Sequence, residues 1–181
     1  MILSELPGAV LTAGIPLFLL AFVLVCWALH RQWLVGDNVG DIQGSIEALG
    51  KTQKDKKLRK TMDPALGKWF RFGGGFYGLV ALYTWLLIET EDIANFVGEL
   101  GSVIFDFEPG AIFGLVIALA IESIVNFFMA IAWPAHWLGE SRNAWVLFPV
   151  AYAGYWLGIN SAQIAWKRGW VQRVAAYFES A

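Results

Sequence analysis

The segment VIALAIESIVNFF, residues 116–128, is a run of apolar residues interrupted near its centre by one carboxylate, Glu122. It belongs to a longer stretch, residues 109–139, in which Glu122 is the only Asp, Glu, Lys or Arg. A helix needs about 20 apolar residues to cross the hydrocarbon core of a bilayer. The stretch is therefore typical of a membrane-spanning helix, and Glu122 is its exceptional residue.

Three more stretches share this composition, because residues 6–29, 72–88 and 143–166 contain no Asp, Glu, Lys or Arg. The chain of 181 residues is 57% hydrophobic and 15% charged, whereas a soluble domain has about a quarter of its residues charged. Spanning segments are helices or closed barrels, and the alternating segments of a barrel are missing from the sequence. The sequence predicts one all-α integral membrane domain, a bundle of four transmembrane helices. These helices are expected at about residues 9–30, 72–91, 111–133 and 144–166.

The distribution of basic residues predicts an orientation. Nine of the thirteen Lys and Arg residues lie in the loop 31–71, whereas the connection 92–110 contains none. The positive-inside rule then places the loop in the cytoplasm and the connection outside. We therefore expect a multi-pass protein of the bacterial inner (cytoplasmic) membrane with its N-terminus outside. The amphipathic tail 167–181 is basic, which is unexpected for a segment that four crossings would leave outside.

The cytoplasmic loop has two parts. Ile42, Ile46 and Leu49 recur at helical spacing, which predicts a short amphipathic helix on the membrane surface or on a partner. In the basic part, each Lys or Arg near an anionic membrane contributes about 1 kcal/mol of binding. We expect anionic lipid headgroups to contact Lys51, Lys54, Lys56, Lys57, Arg59 and Lys60. Nucleic acid is not an expected partner, because no aromatic or glycine pattern accompanies these cations.

Glu122 lies at the midpoint of the predicted third helix, where a charge costs at least about 2.5 kcal/mol. Asn126 is one turn further on the same helical face. No Lys or Arg lies within the four predicted spans. Polar side chains at a similar depth on the second and fourth helices complete a predicted intramembrane site: Tyr83, Thr84, Tyr152 and Tyr155.

Two hypotheses for Glu122 follow from this placement. In the first, Glu122 is protonated and hydrogen-bonded to a tyrosine, so that it links two helices. In the second, its carboxylate handles a proton or a cation. The cost of a charge at this depth predicts that the carboxyl group is protonated, paired or facing water.

The two histidines are weak candidates for a cofactor site. His30 and His136 are predicted at the same membrane face, and a bis-histidine haem needs two such ligands. Histidines at a membrane interface are common without any ligand, however. We expect no cofactor and no bound metal.

Glycines separated by four residues recur in the apolar segments, at Gly74 and Gly78, at Gly110 and Gly114, and at Gly154 and Gly158. This spacing lets helix backbones approach each other closely. The run Gly73–Gly75 lacks the GK[ST] continuation of a phosphate-binding loop, so it indicates a tight entry into a helix instead.

No feature of the sequence predicts catalysis. It contains no nucleophile with a matching base, no HExxH motif and no soluble segment large enough for an active site. We expect a non-catalytic accessory, assembly or structural subunit of a larger energy-converting or transport complex, with other membrane subunits or further copies as partners. The alternative is a small proton or cation transporter or channel that uses Glu122.

Overall fold

The computed structural model describes residues 2–36, 38–52, 62–106, 109–140 and 144–179. This part of the chain is helical and contains no strand. In chain order the helices are α1 (Ile2–Ala9), a π-helical turn (Val10–Gly14), α2 (Ile15–His30), α3 (Val39–Thr52), α4 (Pro64–Arg71), α5 (Gly75–Asp106), α6 (Pro109–Ile131), α7 (Trp133–Glu140), α8 (Ala144–Lys167) and α9 (Trp170–Glu179).

Within the described residues, two helical stretches are long and apolar enough to cross a membrane, Glu5–His30 and Phe113–Ile131. A third candidate is the pair Pro64–Arg71 and Gly75–Gly98, which is bent by 112° and thus has the shape of a broken span or a re-entrant loop. The all-helical fold is confirmed, and the composition of these helices agrees with a membrane protein. The bundle of four transmembrane helices is not confirmed.

The second and fourth predicted spans account for this difference. The segment 72–91 begins in the bend and continues as the first half of α5. The segment 144–166 does form a helix, α8, but this helix is not among the candidate spans. Aromatic and polar side chains lower its mean hydropathy, among them Trp145, Tyr152, Tyr155, Trp156, Asn160 and Gln163.

Helices α2 and α8 form the most extensive pairing in the fold, and glycines make their close approach possible. A Cβ atom at Gly154 would lie 2.3 Å from the carbonyl oxygen of Gly14, and one at Gly158 would lie 2.6 Å from that of Phe18. The predicted glycine spacing in α8 is thus part of a helix interface. Gly154 lies against Gly14, and Gly158, one turn later in α8, lies against Ala21 of α2. Residue numbers therefore increase in the same direction along this interface, so α2 and α8 are parallel.

The bend between α4 and α5 is built by three consecutive glycines. Gly73, Gly74 and Gly75 have φ angles of 102°, 66° and 56°, a region that side chains other than hydrogen strongly disfavour. The indole Nε1 of Trp69 donates a hydrogen bond of 3.1 Å to the carbonyl of Gly75 and closes the turn. Trp69 is fully buried together with Leu66 and Phe70, which anchors α4 in the core.

The amphipathic segment expected near residues 41–49 is helical, as part of α3. Its apolar face packs inward, because Ile42 and Ile46 are fully buried in the same core as α2 and α4. The expectation that it lies on the membrane surface or on a partner therefore needs correction. Lys51 is exposed at the end of α3. The other basic residues expected to contact lipid, Lys54, Lys56, Lys57, Arg59 and Lys60, lie outside the described residues.

Helices α5 and α6 form an antiparallel hairpin. The 32 residues of α5 extend about 48 Å at 1.5 Å per residue, and α6 then packs back along it. The segment expected as a separate outer connection, residues 92–110, is a continuation of α5 as far as Asp106. The predicted C-terminal tail is helical as α9, which packs against α2 and α8.

Candidate functional site

Asn126 is the centre of a polar cluster between α5 and α6. Its side chain is 5% exposed, and its Nδ2 donates to Asp92 Oδ2 at 2.5 Å and to Glu89 Oε2 at 3.3 Å. Ser123 Oγ donates to Glu89 Oε1 at 2.8 Å. Two donors of α6 thus satisfy two carboxyl groups of α5. We call Glu89, Asp92, Ser123 and Asn126 the hairpin cluster.

Sequence reasoning missed three members of this cluster. Glu89 and Asp92 follow an apolar run. The sequence therefore predicts Glu89 at the membrane boundary and Asp92 outside the membrane. In the structure α5 continues past them, and α6 packs against the same face. The spacing of these residues could have indicated the cluster. Glu89 and Asp92 are three positions apart, as are Ser123 and Asn126, so the members of each pair share a helical face.

Glu122 lies beside the cluster but on the exposed side of α6. It lines a cleft of about 160 Å³ together with Asp92 and Asn95 of α5 and several apolar side chains. Glu122 therefore faces an open, partly polar cleft next to the hairpin cluster.

A cation approaches the hairpin cluster from α4. Lys68 lies within electrostatic range of Glu89, and its Nζ stands 3.5 Å from the centroid of the Trp85 ring. The guanidinium of Arg71 lies 4.6 Å from the ring of Phe127 on α6. The bend after α4 thus returns Lys68 to the side of α5 that carries Glu89.

The four other residues of the predicted intramembrane site have different partners. The Tyr83 hydroxyl donates to the carbonyl of Thr12, and the Thr84 Oγ1 accepts a buried hydrogen bond of 3.1 Å from Trp137 Nε1. The rings of Tyr152 and Tyr155 pack against Phe76, with centroids 5.3 and 5.5 Å away. The structure therefore brings Glu122 and Asn126 close to α5 carboxylates instead of to these side chains.

The two histidines lie in different surroundings. His30 ends α2 beside the ring of Trp27, with ring centroids 6.3 Å apart, and it lines a cavity shared with α9. His136 belongs to α7, which packs against α5 and α6. Within the described part of the chain, no three side chains of His, Cys, Asp or Glu are grouped so as to hold a metal ion.

These features together define an all-helical protein with two or three helices able to cross a membrane and a polar cluster between two of its helices. No protein-family model, curated protein or solved structure matches the chain.

Proposed function

We propose that the protein is a non-catalytic accessory, assembly or structural subunit of a larger membrane complex, either energy-converting or transporting, and that it binds its partner through α6. The observation that carries this proposal is the exposed face of α6. Only 11% of its candidate span is buried, and the uncovered side chains include large apolar groups and one carboxyl group. Exposed apolar residues on this face include Phe113, Val116, Ile117, Ile121, Ile124, Val125 and Phe128.

Lipid would accommodate the apolar residues of this face but not Glu122. In a membrane the exposed carboxyl group costs at least about 2.5 kcal/mol when charged, and the cleft that it shares with Asp92 adds further unfavourable polar surface. A partner helix that carries a donor or a cation removes this cost. Because such a partner is required, the hypothesis that the protein is a subunit of a complex is favoured over the hypothesis that it acts alone.

The hairpin cluster supports the same proposal. Its hydrogen bonds join α5 to α6 at several points, and such interhelical bonds hold transmembrane helices together. The hairpin thus keeps its shape with the other side of α6 uncovered. A preformed surface of this kind loses less conformational entropy on assembly than a flexible one.

Photocrosslinking in native membranes tests the proposed interface. With a benzoylphenylalanine at Ile121, which is 57% exposed beside Glu122, we expect a specific covalent product heavier than the 20.1 kDa chain. The same group at Leu157, which is 49% exposed on α8, is the matched control and is expected to give mainly lipid adducts. The mass of the product distinguishes a second copy from a different subunit. Lipid adducts alone at both positions would contradict the proposal.

The proposed location is the bacterial inner membrane, with the N-terminus outside. The direction of α2 and α8 supports this orientation, because each of the two helices ends at basic residues. Arg31 follows α2, Lys167 is the last residue of α8, and Arg168 follows α8. The basic tail and the basic loop then share the cytoplasmic side, as the positive-inside rule requires.

A second candidate function is proton transport, and a specific arrangement favours it. Glu122 in the open cleft, Asp92 at its wall and Glu89 near Lys68 form a line of carboxyl groups from the surface of the hairpin toward α4. Ionisable groups in a membrane frequently belong to proton pathways.

Liposome flux measurements test this second candidate. With purified protein and a pH-sensitive dye inside the vesicles, transport through the carboxylates predicts that Glu122→Gln and Glu89→Gln reduce proton flux by about tenfold or more. Glu91→Gln changes an exposed carboxyl group outside the hairpin cluster and is the control. Equal flux in the wild type and in all three variants would remove these carboxyl groups from the transport mechanism and leave the subunit function intact.

A further inference from the structure

A cavity of about 660 Å³ lies between the end of α2, the start of α4 and the C-terminal helix α9. Its walls are largely apolar, and the volume is within the range of about 300–1,000 Å³ that is common for small-molecule sites. The apolar wall includes Phe22, Val23, Leu24, Ala65, Val171 and Val174. The cavity is separate from the hairpin cluster and from the exposed face of α6.

The rim of this cavity is positively charged. Arg31 is 52% exposed, its Cζ lies 5.0 Å from the ring of Trp27, and its Nε lies 3.6 Å from the Asp63 carboxylate. His30 adjoins it on the cavity lining. Lys167 and Arg168 precede α9, and Arg173 lies in its first turn. The half-exposed guanidinium of Arg31 on the cavity lining, with these cations at the start of the adjoining helix α9, matches an anionic headgroup.

We propose that this cavity binds one anionic phospholipid, with an acyl chain against the apolar wall and the phosphate at Arg31. Three observations agree on this ligand. The wall suits a hydrocarbon chain, the rim suits a phosphate, and both lie at the end of the membrane helix α2 where headgroups are located. Basic pockets between transmembrane helices are a known form of phospholipid site. This proposal is independent of the subunit function and of proton transport.

Native mass spectrometry of the full chain tests the lipid selectivity. The protein is released from vesicles that contain equal amounts of phosphatidylglycerol and phosphatidylcholine with identical acyl chains. We expect one retained phosphatidylglycerol per chain, with about tenfold preference over phosphatidylcholine. Both lipids offer a phosphate to Arg31, but phosphatidylcholine also carries a choline cation, which the basic rim repels. Equal retention of both lipids, or retention of neither, would overturn the proposal.

Two kinds of variant locate the retained lipid. Arg31→Gln is expected to lower phosphatidylglycerol retention about tenfold, whereas Arg31→Lys keeps the charge and most of the retention. Val174→Trp fills the cavity and is expected to displace the lipid without removing a charge. Val97→Trp, at an exposed valine of α5, is its control and leaves retention unchanged. If Arg31→Gln fails to fold, the retention of phosphatidylglycerol by Val174→Trp tests the location of the site. Unchanged retention in Val174→Trp would contradict a site in this cavity.

Discussion

Replacement of Asn126 by alanine is expected to lower the free energy of unfolding of the protein by about 3 kcal/mol. The substitution removes the donor that serves both Asp92 and Glu89, so two carboxyl groups between α5 and α6 lose a hydrogen bond at once. Leaving a buried polar acceptor without a partner costs about 1–3 kcal/mol, and here two half-buried carboxyl groups lose a bond together. Thermal and denaturant unfolding in detergent, followed by circular dichroism, measures the change.

Asn160→Ala is the matched control for this prediction. The Asn160 Nδ2 donates a hydrogen bond of 2.7 Å to the carbonyl of Trp156, one turn earlier in the same helix. That carbonyl is already part of the hydrogen-bonded backbone of the helix. The decrease in the free energy of unfolding is therefore expected to stay below about 1 kcal/mol. Equal destabilisation by the two substitutions would show that the hairpin cluster does not join α5 to α6.

The second large effect is expected at the contact between α2 and α8. In Gly154→Ala the new methyl group lies 2.3 Å from the carbonyl oxygen of Gly14, which is a backbone atom and cannot rotate away. The two helices must separate along their interface, which is the most extensive helix pairing in the described part of the chain. Overpacking of this kind typically costs about 1–3 kcal/mol, and the backbone contact places this variant at the upper end. The free energy of unfolding in detergent is again the measurement.

Gly44→Ala is the control, and its effect is expected to have the opposite sign. Gly44 lies inside α3 and has no atom within 4 Å of the position that a Cβ would occupy. Alanine is favoured over glycine in a helix by about 0.5–1 kcal/mol, so this variant is expected to be slightly more stable. If Gly154→Ala is as stable as Gly44→Ala, α2 and α8 do not pack as described.

The helical class of the fold was predictable, because stretches such as 6–29 and 109–139 are long, apolar and almost without charge. The glycine spacing at Gly154 and Gly158 also indicated a helix contact correctly. Neither pattern identifies the neighbouring helix or its direction, since hydropathy describes a segment and not its partner. The pairing of α8 with α2 depends on the shape of both surfaces.

The bend after α4 and the hairpin cluster were less accessible to sequence reasoning. A run of three glycines permits several turn geometries, and the 112° bend is selected by the burial of Trp69 and Phe70. Glu89 and Asp92 resemble the end of a span when only the apolar run before them is considered. Their role becomes visible once α6 places Ser123 and Asn126 beside them, which depends on a contact between residues more than thirty positions apart.

The common direction of α2 and α8 has a consequence for the number of times the chain passes through a bilayer. If both helices cross it, the chain between them must return an odd number of times, so the total number of passes is odd. Four alternating passes would make the first and last helices point in opposite directions, contrary to their contacts. An odd total leaves the residues just before α2 and those just after α8 on opposite faces of the membrane, in two different compartments.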